Sequence, residues 1–568
     1  MEEAGIMRRY SHLLMILGMS VFFFTGLGHV HLFDWDEINF AESAREMIET
    51  SNYLSVQINY QPFWEKPPLF FWMQAISMKV FGINEFAARF PNAVFGIIYL
   101  MTLSVIGKKF SSEKNFPRIW MLLIFGSLLP HIYFKSGIID PVFNYFIFLS
   151  VYFVYRVFES EGKSLKDSFL SGLFCGLSFL TKGPVGLLLL MGTIGLVSLT
   201  LIFFNDADKG KFNFTRGVNT IKRLFFRSFV WYPIFIFLFG FLSVVSVWIG
   251  AELYFHGWDI LNKFVQYQIE LFTEPVASHG QPFYYHFVVV FFGCFPASVF
   301  AIPQILKFSP KTGSSFTIWM VSLFWVVIII FSLSTTKIVH YSSMTYLPLT
   351  FLAAIYFQKL IAHREKIKNY ILILYILLGV LWFFIFLLVP YILKNPSIIL
   401  PYISDQAAIN SLLMSSIMNG YEPIIGIIFA TGILTSIWYI IQKKLFKALW
   451  IVSISVGMTL MLTNFMILPA VERLSQGPAI NFYKTLADQD VYVTPIGFKS
   501  YAQYFYAKTK PQLHSRNADI EWLVKGDIDK DVYFVSKSDN TELEKYQDIQ
   551  KIRSEGGFSF YVRNKKKD

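Results

Sequence analysis

The sequence predicts an all-α polytopic membrane protein with a small α/β domain at its carboxyl end. Three observations carry that reading. Hydrophobic residues make up 54% of the chain and charged residues 15%, whereas a soluble domain carries about 25% charged residues. Apolar runs long enough to cross a hydrocarbon core of about 30 Å recur from His12 to Leu468. Beyond Ala470 the pattern changes to short β-type runs at 491–496, 531–536 and 558–563, separated by helix-like stretches near 499–508 and 542–551.

The length criterion gives about thirteen membrane helices. They lie near 12–30, 86–106, 117–134, 139–157, 168–182, 184–203, 228–250, 284–305, 316–334, 340–359, 369–394, 423–441 and 447–468. Arg8 and Arg9 ahead of the first run could mark a secretory signal, but no small-residue cleavage site follows, so the run reads as a retained helix. Cys175 and Cys294 sit inside apolar runs and imply neither a disulfide framework nor a cysteine metal site.

Every second loop is basic. Lys108, Lys109, Lys114 and Arg118 form one such group, Arg156, Lys163 and Lys166 the next, and the pattern continues through the segment around Lys209–Arg227 and the groups near Lys307, Lys359 and Lys443. Lys and Arg collect in short cytoplasmic loops, so the amino terminus is expected inside and, after an odd number of spans, the tail outside. The net charge of +11 is divided among these loops, which excludes a nucleic-acid patch. The outer loops 31–85, 251–283 and 395–422 are longer and chemically richer. The expected domains are a membrane domain at 1–469 and an outer α/β domain at 470–568.

Charged residues on that outer side need a reason. In WDEINFAESAREM (35–47), Asp34 and Glu37 are spaced as a capping box. Glu37, Ala41, Ala44 and Ile48 would share one stripe and Glu42, Arg45, Glu46 and Glu49 another, as in an interfacial amphipathic helix. Capping leaves Asp36 without a partner. In FWEKPPLFFW (63–72), Pro67 pushes Lys66 toward extended geometry and Pro68 can begin a helix, so Glu65 and Lys66 stand on a stiff turn. Asp140, Lys182 and Lys337 interrupt apolar sequence near helix ends, where an ionisable group is costly and faces a cavity or pathway unless it snorkels to the interface. His279 closes the second long outer loop, and with Glu65 could hold a divalent ion.

A transporter would place such groups near the midplane with access from both faces. One-sided placement favours catalysis at the outer interface, where a carboxylate can deprotonate an attacking hydroxyl while lysines or a metal ion stabilise a departing phosphate.

Five motifs in order, WDEINFAESAREM, FWEKPPLFFW, GINEFAARFP (82–91), LTKGP (180–184) and FSLSTTKIVHY (331–341), resemble the polyprenyl-phosphate-sugar-dependent glycosyltransferases of the GT-C fold. The nearest likeness is to the bacterial aminoarabinose transferases of lipid A, relatives of the protein O-mannosyltransferases. The resemblance spans about residues 12–360. It implies thirteen membrane helices, juxtamembrane helices in the first outer loop and a carboxy-terminal periplasmic domain. It also implies roles: Asp36 as candidate base, Glu65 and His279 as ligands of a divalent metal (zinc, magnesium or manganese), Lys66 near the donor phosphate, and Tyr341 as a donor contact. Where the family has Gly-Arg-Tyr or a similar run after its Asp-Glu, this chain has Ile38-Asn39-Phe40, and no motif aligns after about 360.

The expectation is therefore a bacterial inner-membrane transferase with Asp36, Lys66 and Asp140 as catalytic residues and Glu37, Lys182, Lys337 and Tyr341 at the substrate. Its partners would be a polyprenyl-phosphate-linked sugar, a lipid, glycan or protein acceptor, and membrane lipids. Protein O-mannosylation and flipping of a lipid-linked sugar are the alternatives.

Overall fold

The computed structural model describes residues 2–63, 65–110, 115–203, 231–273, 280–306, 315–414, 418–512, 514 and 516–566. Among them, eight helices are long and apolar enough to cross a membrane: Glu85–Lys109, Asp140–Glu159, Trp231–His256, Phe316–Leu333, Val339–His363, Asn369–Lys394, Ile424–Ile441 and Leu445–Met466. Shorter apolar helices at Ser11–Phe24, Phe116–Phe125, Val185–Leu201 and Ala297–Leu306 fall on four more of the expected spans, and Leu165–Lys182 on another. The chain is a multi-pass membrane protein.

Local chemistry sets the helix ends. Asn84 accepts a hydrogen bond from the Ala87 amide at 2.9 Å and so caps Glu85–Ile106. Pro141 opens Asp140–Glu159 in the first turn, where its missing N–H costs nothing. Gly183 stops Leu165–Lys182 at φ 80°, a conformation that favours glycine. At Gly172 a Cβ would overlap the Phe237 carbonyl, so this glycine lets Leu165–Lys182 and Trp231–His256 pack backbone to backbone. Two expected spans are broken: 117–134 divides after Phe125 and 284–305 after Gly293. Hydropathy does not see these breaks because apolar side chains continue through them.

The first outer loop departs from the interfacial-helix expectation. Its helix, Asp36–Thr50, is buried on every side from Glu37 to Met47. Ile38, Ala41 and Ala44 join a core with Ala87, Ala88, Ala479, Ile480 and Tyr483, so the membrane domain and the tail share one apolar seam. Glu42 and Arg45 pair through two hydrogen bonds of 2.6–2.7 Å, and Arg45 also donates to the Thr509 carbonyl at 2.9 Å. The polar stripe faces protein instead of lipid headgroups. Nor does a capping box form: the residue at the helix start is Trp35, with no side-chain cap. A short hairpin, β1 (Gln57–Ile58) and β2 (Gln61–Pro62), turns through Asn59 and Tyr60, and Tyr60 Oη donates to the Thr509 carbonyl at 2.6 Å. Leu69–Phe81 follows as an apolar helix within the loop.

The tail forms a four-stranded sheet of β3 (Tyr492–Ile496), β4 (Val532–Lys537), β5 (Gln550–Glu555) and β6 (Phe558–Arg563), in the order β3-β4-β6-β5. β3 and β4 run parallel; the other pairs are antiparallel. The helix expected at 542–551 is a 3₁₀ turn at Glu542–Lys545 followed by β5, an edge strand whose exposed residues carry no apolar alternation. The tail is stitched to the first loop. Leu32 N–H donates to Tyr506 Oη at 2.7 Å, Gln476 donates to the Leu32 carbonyl at 2.7 Å, and His31 pairs with Glu472 at 2.7 Å.

Candidate active site

Five separated stretches meet at one end of the membrane helices. Asp140 begins one helix and Lys182 ends its antiparallel neighbour, so the two side chains come together at 2.6 Å, both buried. His340 Nε2 stands 3.4 Å from Asp36 Oδ2 and 3.9 Å from Asp140 Oδ2. Of the two carboxylates, Asp36 is the open one, with its side chain 31% exposed against 2% for Asp140. Asp140 Oδ2 has no hydrogen-bond partner. Ser343 reaches Asp140 Oδ1 at 3.5 Å and is held by Asn144 at 2.9 Å.

Glu65 and Lys66 approach from the first outer loop, 4.0 Å apart. Burial draws the Lys66 ammonium below the usual lysine range; Glu65 and Asp36 oppose that shift, and Lys182 adds to it. Those influences place Lys66 within electrostatic reach of Asp36, Lys182 and Asp140. The helix Trp258–Thr273 covers the turn: the Tyr267 ring lies 5.4 Å from Lys66 Nζ, and Gln268 donates to the Glu65 carbonyl at 3.4 Å. Tyr267 is pushed above the ordinary tyrosine range by burial first and then by the charge of the nearby Glu65.

Tyr341 supports Lys182, its ring centroid 4.9 Å from Nζ. Lys337 donates to the Ser334 carbonyl at 2.6 Å and acts electrostatically on His286, as does His340. Its hydrogen bond ties down the turn that leads to His340 and Tyr341.

Glu37 stands apart from this group. Both its oxygens take Arg89, at 2.8 and 2.9 Å, and they also accept the amides of Phe33 at 2.9 Å and Gly137 at 2.6 Å. Burial alone would raise this carboxyl, but Arg89 and the two amides hold it below its ordinary value. Arg89 also donates to the carbonyls of Leu27, Val30 and His31. With its acceptors filled, Glu37 fastens the first loop to the membrane helices and is not a substrate contact.

His279 lies outside the described residues. Among the described residues no three His, Cys, Asp or Glu side chains group to hold a metal ion, and Glu65 has Lys66 at 4.0 Å. These residues do not by themselves form an ion site.

His340, Tyr267 and Arg89 are absent from the sequence-based selection. His340 and Arg89 lie inside motifs quoted for the resemblance, and a charge-capable side chain within an apolar run was the available signal. Tyr267 had none, because it belongs to an ordinary amphipathic helix.

Comparison with known proteins fits this geometry. The profile of the dolichyl-phosphate-mannose-protein mannosyltransferase family matches residues 65–205. An uncharacterized protein of Aquifex aeolicus is 28% identical over 65% of this chain and 78% of its own length. The undecaprenyl phosphate-alpha-4-amino-4-deoxy-L-arabinose arabinosyl transferase of Wigglesworthia glossinidia brevipalpis is 25% identical over 62% of this chain. A transferase of the same description from Proteus mirabilis is 24% identical, again over 62%. The matches span 59% and 60% of those two transferases. The crystal structure of ArnT from Cupriavidus metallidurans bound to undecaprenyl phosphate superposes with a TM-score of 0.70 at 13% identity, covering 97% of this chain and 98% of that one. In fold, then, the chain is ArnT-like, the GT-C architecture that its motifs imply, and the segment matched by the mannosyltransferase profile contains Glu65, Lys66, Asp140 and Lys182.

Proposed function

We propose that this chain is an integral membrane glycosyltransferase of the bacterial inner membrane. It takes a sugar from a polyprenyl-phosphate carrier and passes it to an acceptor on the periplasmic side. One observation carries the reading: a partly open carboxylate, Asp36, gathers with Lys66, His340 and the buried Asp140–Lys182 pair at a single end of the helices. The names of its relatives, and the carrier lipid bound in the Cupriavidus structure, support a donor of this class. The basic loops support an inward amino terminus and an outward tail.

In the proposed reaction the acceptor oxygen bonds to the anomeric carbon as the bond from that carbon to the phosphate oxygen breaks. The carrier leaves as polyprenyl phosphate. Asp36 takes the proton of the attacking hydroxyl, the role its exposure suits. Lys66 and Lys182 face the negative charge that grows on the leaving phosphate; in a site shielded from water such cations act strongly. Asp140 pairs with Lys182 and aims it, Tyr341 packs against it, and His340 stands between the two aspartates. Glu65 and Tyr267 set Lys66 in place.

The acceptor class, whether lipid, glycan or protein, is the part to be found by assay. Full-length protein in nanodiscs, supplied with undecaprenyl phosphate-4-amino-4-deoxy-L-arabinose and lipid A, glycan or protein acceptors, should release undecaprenyl phosphate and label one acceptor class. Asp36→Asn and Lys182→Ala should each abolish release. Release undiminished in both variants, or donor moved across the bilayer with no new glycosidic bond, would overturn the reading.

A further inference from the structure

A cavity of about 350 Å³ opens between the tail and the tip of the first-loop hairpin. Its walls come from both domains: Asn59 at the hairpin tip, the strand Tyr492–Ile496, and the segment that runs from Phe498 to Tyr504. Amides at Asn59, Gln503 and Asn517 line it together with the aromatic residues Phe498, Tyr501 and Tyr504. Thr494 and Thr509 add hydroxyls. Among the described residues Lys499 is the only charged side chain in the lining, and no carboxylate takes part.

Two features separate this cavity from incidental surface relief. Gln503 is 2% exposed and donates to the Ser500 carbonyl at 3.0 Å, yet its Oε1 has no hydrogen-bond partner. Thr509 Oγ1, in the same lining, is likewise buried without a partner. Buried polar atoms are nearly always satisfied, so two residues of the lining each carry unused hydrogen-bonding capacity. Amides, hydroxyls and aromatic rings, set among aliphatic side chains such as Val491, Val493 and Leu523 with almost no charge, match a sugar, whose hydroxyls both donate and accept and whose C–H faces lie on apolar surfaces. A dianionic phosphate would want several cations, and a cationic peptide would want carboxylates. The volume exceeds that of a water cluster and sits at the lower end of the range for small-molecule pockets, about 300–1,000 Å³.

The cavity wall also touches the segment that carries Asp36. Tyr501 in its lining packs edge-on against Trp35 at 5.2 Å, and Trp35 adjoins Asp36 in the chain. Tyr501 also feels the charge of Glu65.

Resting on the transferase reading above, we propose that this cavity is a saccharide subsite: it holds an uncharged sugar unit of the acceptor while another part of the acceptor reaches Asp36. The subsite thus belongs to a glycan or glycolipid acceptor rather than to a bare protein.

Saturation-transfer NMR on the full-length protein in nanodiscs tests it, with maltose and N,N′-diacetylchitobiose as probes. At least one probe should receive saturation from the wild-type protein. Gln503→Ala should weaken its capture about tenfold, the scale of one lost well-placed hydrogen bond. Ile520→Trp, which fills the cavity from a position 50% exposed and spares the folded core, should abolish capture. Asp36→Asn should bind like wild type while losing transfer, so the subsite and the transferase reading fail separately. The same disaccharide on a hexadecyl anchor in the nanodisc distinguishes the sources: tighter capture than the free sugar assigns a glycolipid, equal capture a soluble glycan. No saturation of either probe by wild type, or capture unchanged in Ile520→Trp, overturns the proposal.

Discussion

Asp36 and Glu37 are adjacent carboxylates at the start of one helix, and their surroundings differ in kind. Glu37 accepts two hydrogen bonds from Arg89 and two from backbone amides. Asp36 has His340 at 3.4 Å and a side chain that stays partly exposed. Successive helix positions point about 100° apart, which is enough to send one carboxylate into a clamp and the other toward a reactant. The lesson concerns hydrogen-bond capacity: a carboxylate whose acceptor sites are filled by the protein is part of the scaffold, and one left short is available for chemistry.

The sharpest way to break that contrast is to neutralise each member. Asp36→Asn should lower the transfer rate by about 10²–10⁴, the range for loss of a positioned base, with thermal unfolding in detergent unchanged. Lys66→Ala should lower it by about 10²–10³, as for loss of one group that stabilises developing charge, with donor turnover as the readout. Glu37→Gln should do the reverse. It should cost ~3–5 kcal/mol of stability, as breaking one partner out of a buried pair does, and leave the folded fraction active. Equal stability losses for Asp36→Asn and Glu37→Gln would erase the distinction.

A smaller effect is expected between the two regions. His340→Ala removes the side chain that stands between Asp36 and Asp140 and should slow transfer about tenfold, roughly 1.4 kcal/mol, while leaving donor affinity intact. The smallest concerns pH. Burial first, and Glu42 beside it, push Glu46 up from an ordinary 4.5 to about 9. In that interval the folded chain holds a proton that the unfolded chain has lost, so stability falls as pH rises through it. Glu46→Gln should flatten the dependence of melting temperature on pH, matching wild type near the acid end and exceeding it near the alkaline end. An unchanged slope would show that Glu46 is ionised in the fold.

Much of the site was legible because ionisable residues are conspicuous in an apolar chain. Asp36, Glu65, Lys66, Asp140 and Lys182 stood out on that ground, and the structure gathers them. Glu37 was misplaced because its partner Arg89 lies 52 residues away, and no local pattern reports which of two neighbouring carboxylates an arginine will find. The interfacial-helix reading of Asp36–Thr50 failed for a related reason. A polar stripe looks the same whether it faces lipid headgroups or the buried Arg45–Glu42 pair under a second domain. In the tail, apolar residues marked β3, β4 and β6, while β5 escaped because an exposed edge strand has no buried face to imprint on its sequence.

The seam between tail and first loop bears on how such chains diversify. The sequence matches to curated relatives reach 62–65% of the chain, but the fold match reaches 97%, so the overall architecture persists where sequence likeness fades. Yet Tyr506, Gln476 and Thr509 of the tail each engage a particular partner in residues 31–60, among them Leu32 and Arg45. A graft that exchanges tails between two such proteins should therefore work only when the first outer loop travels with it, making loop and tail one heritable cassette although more than four hundred residues separate them.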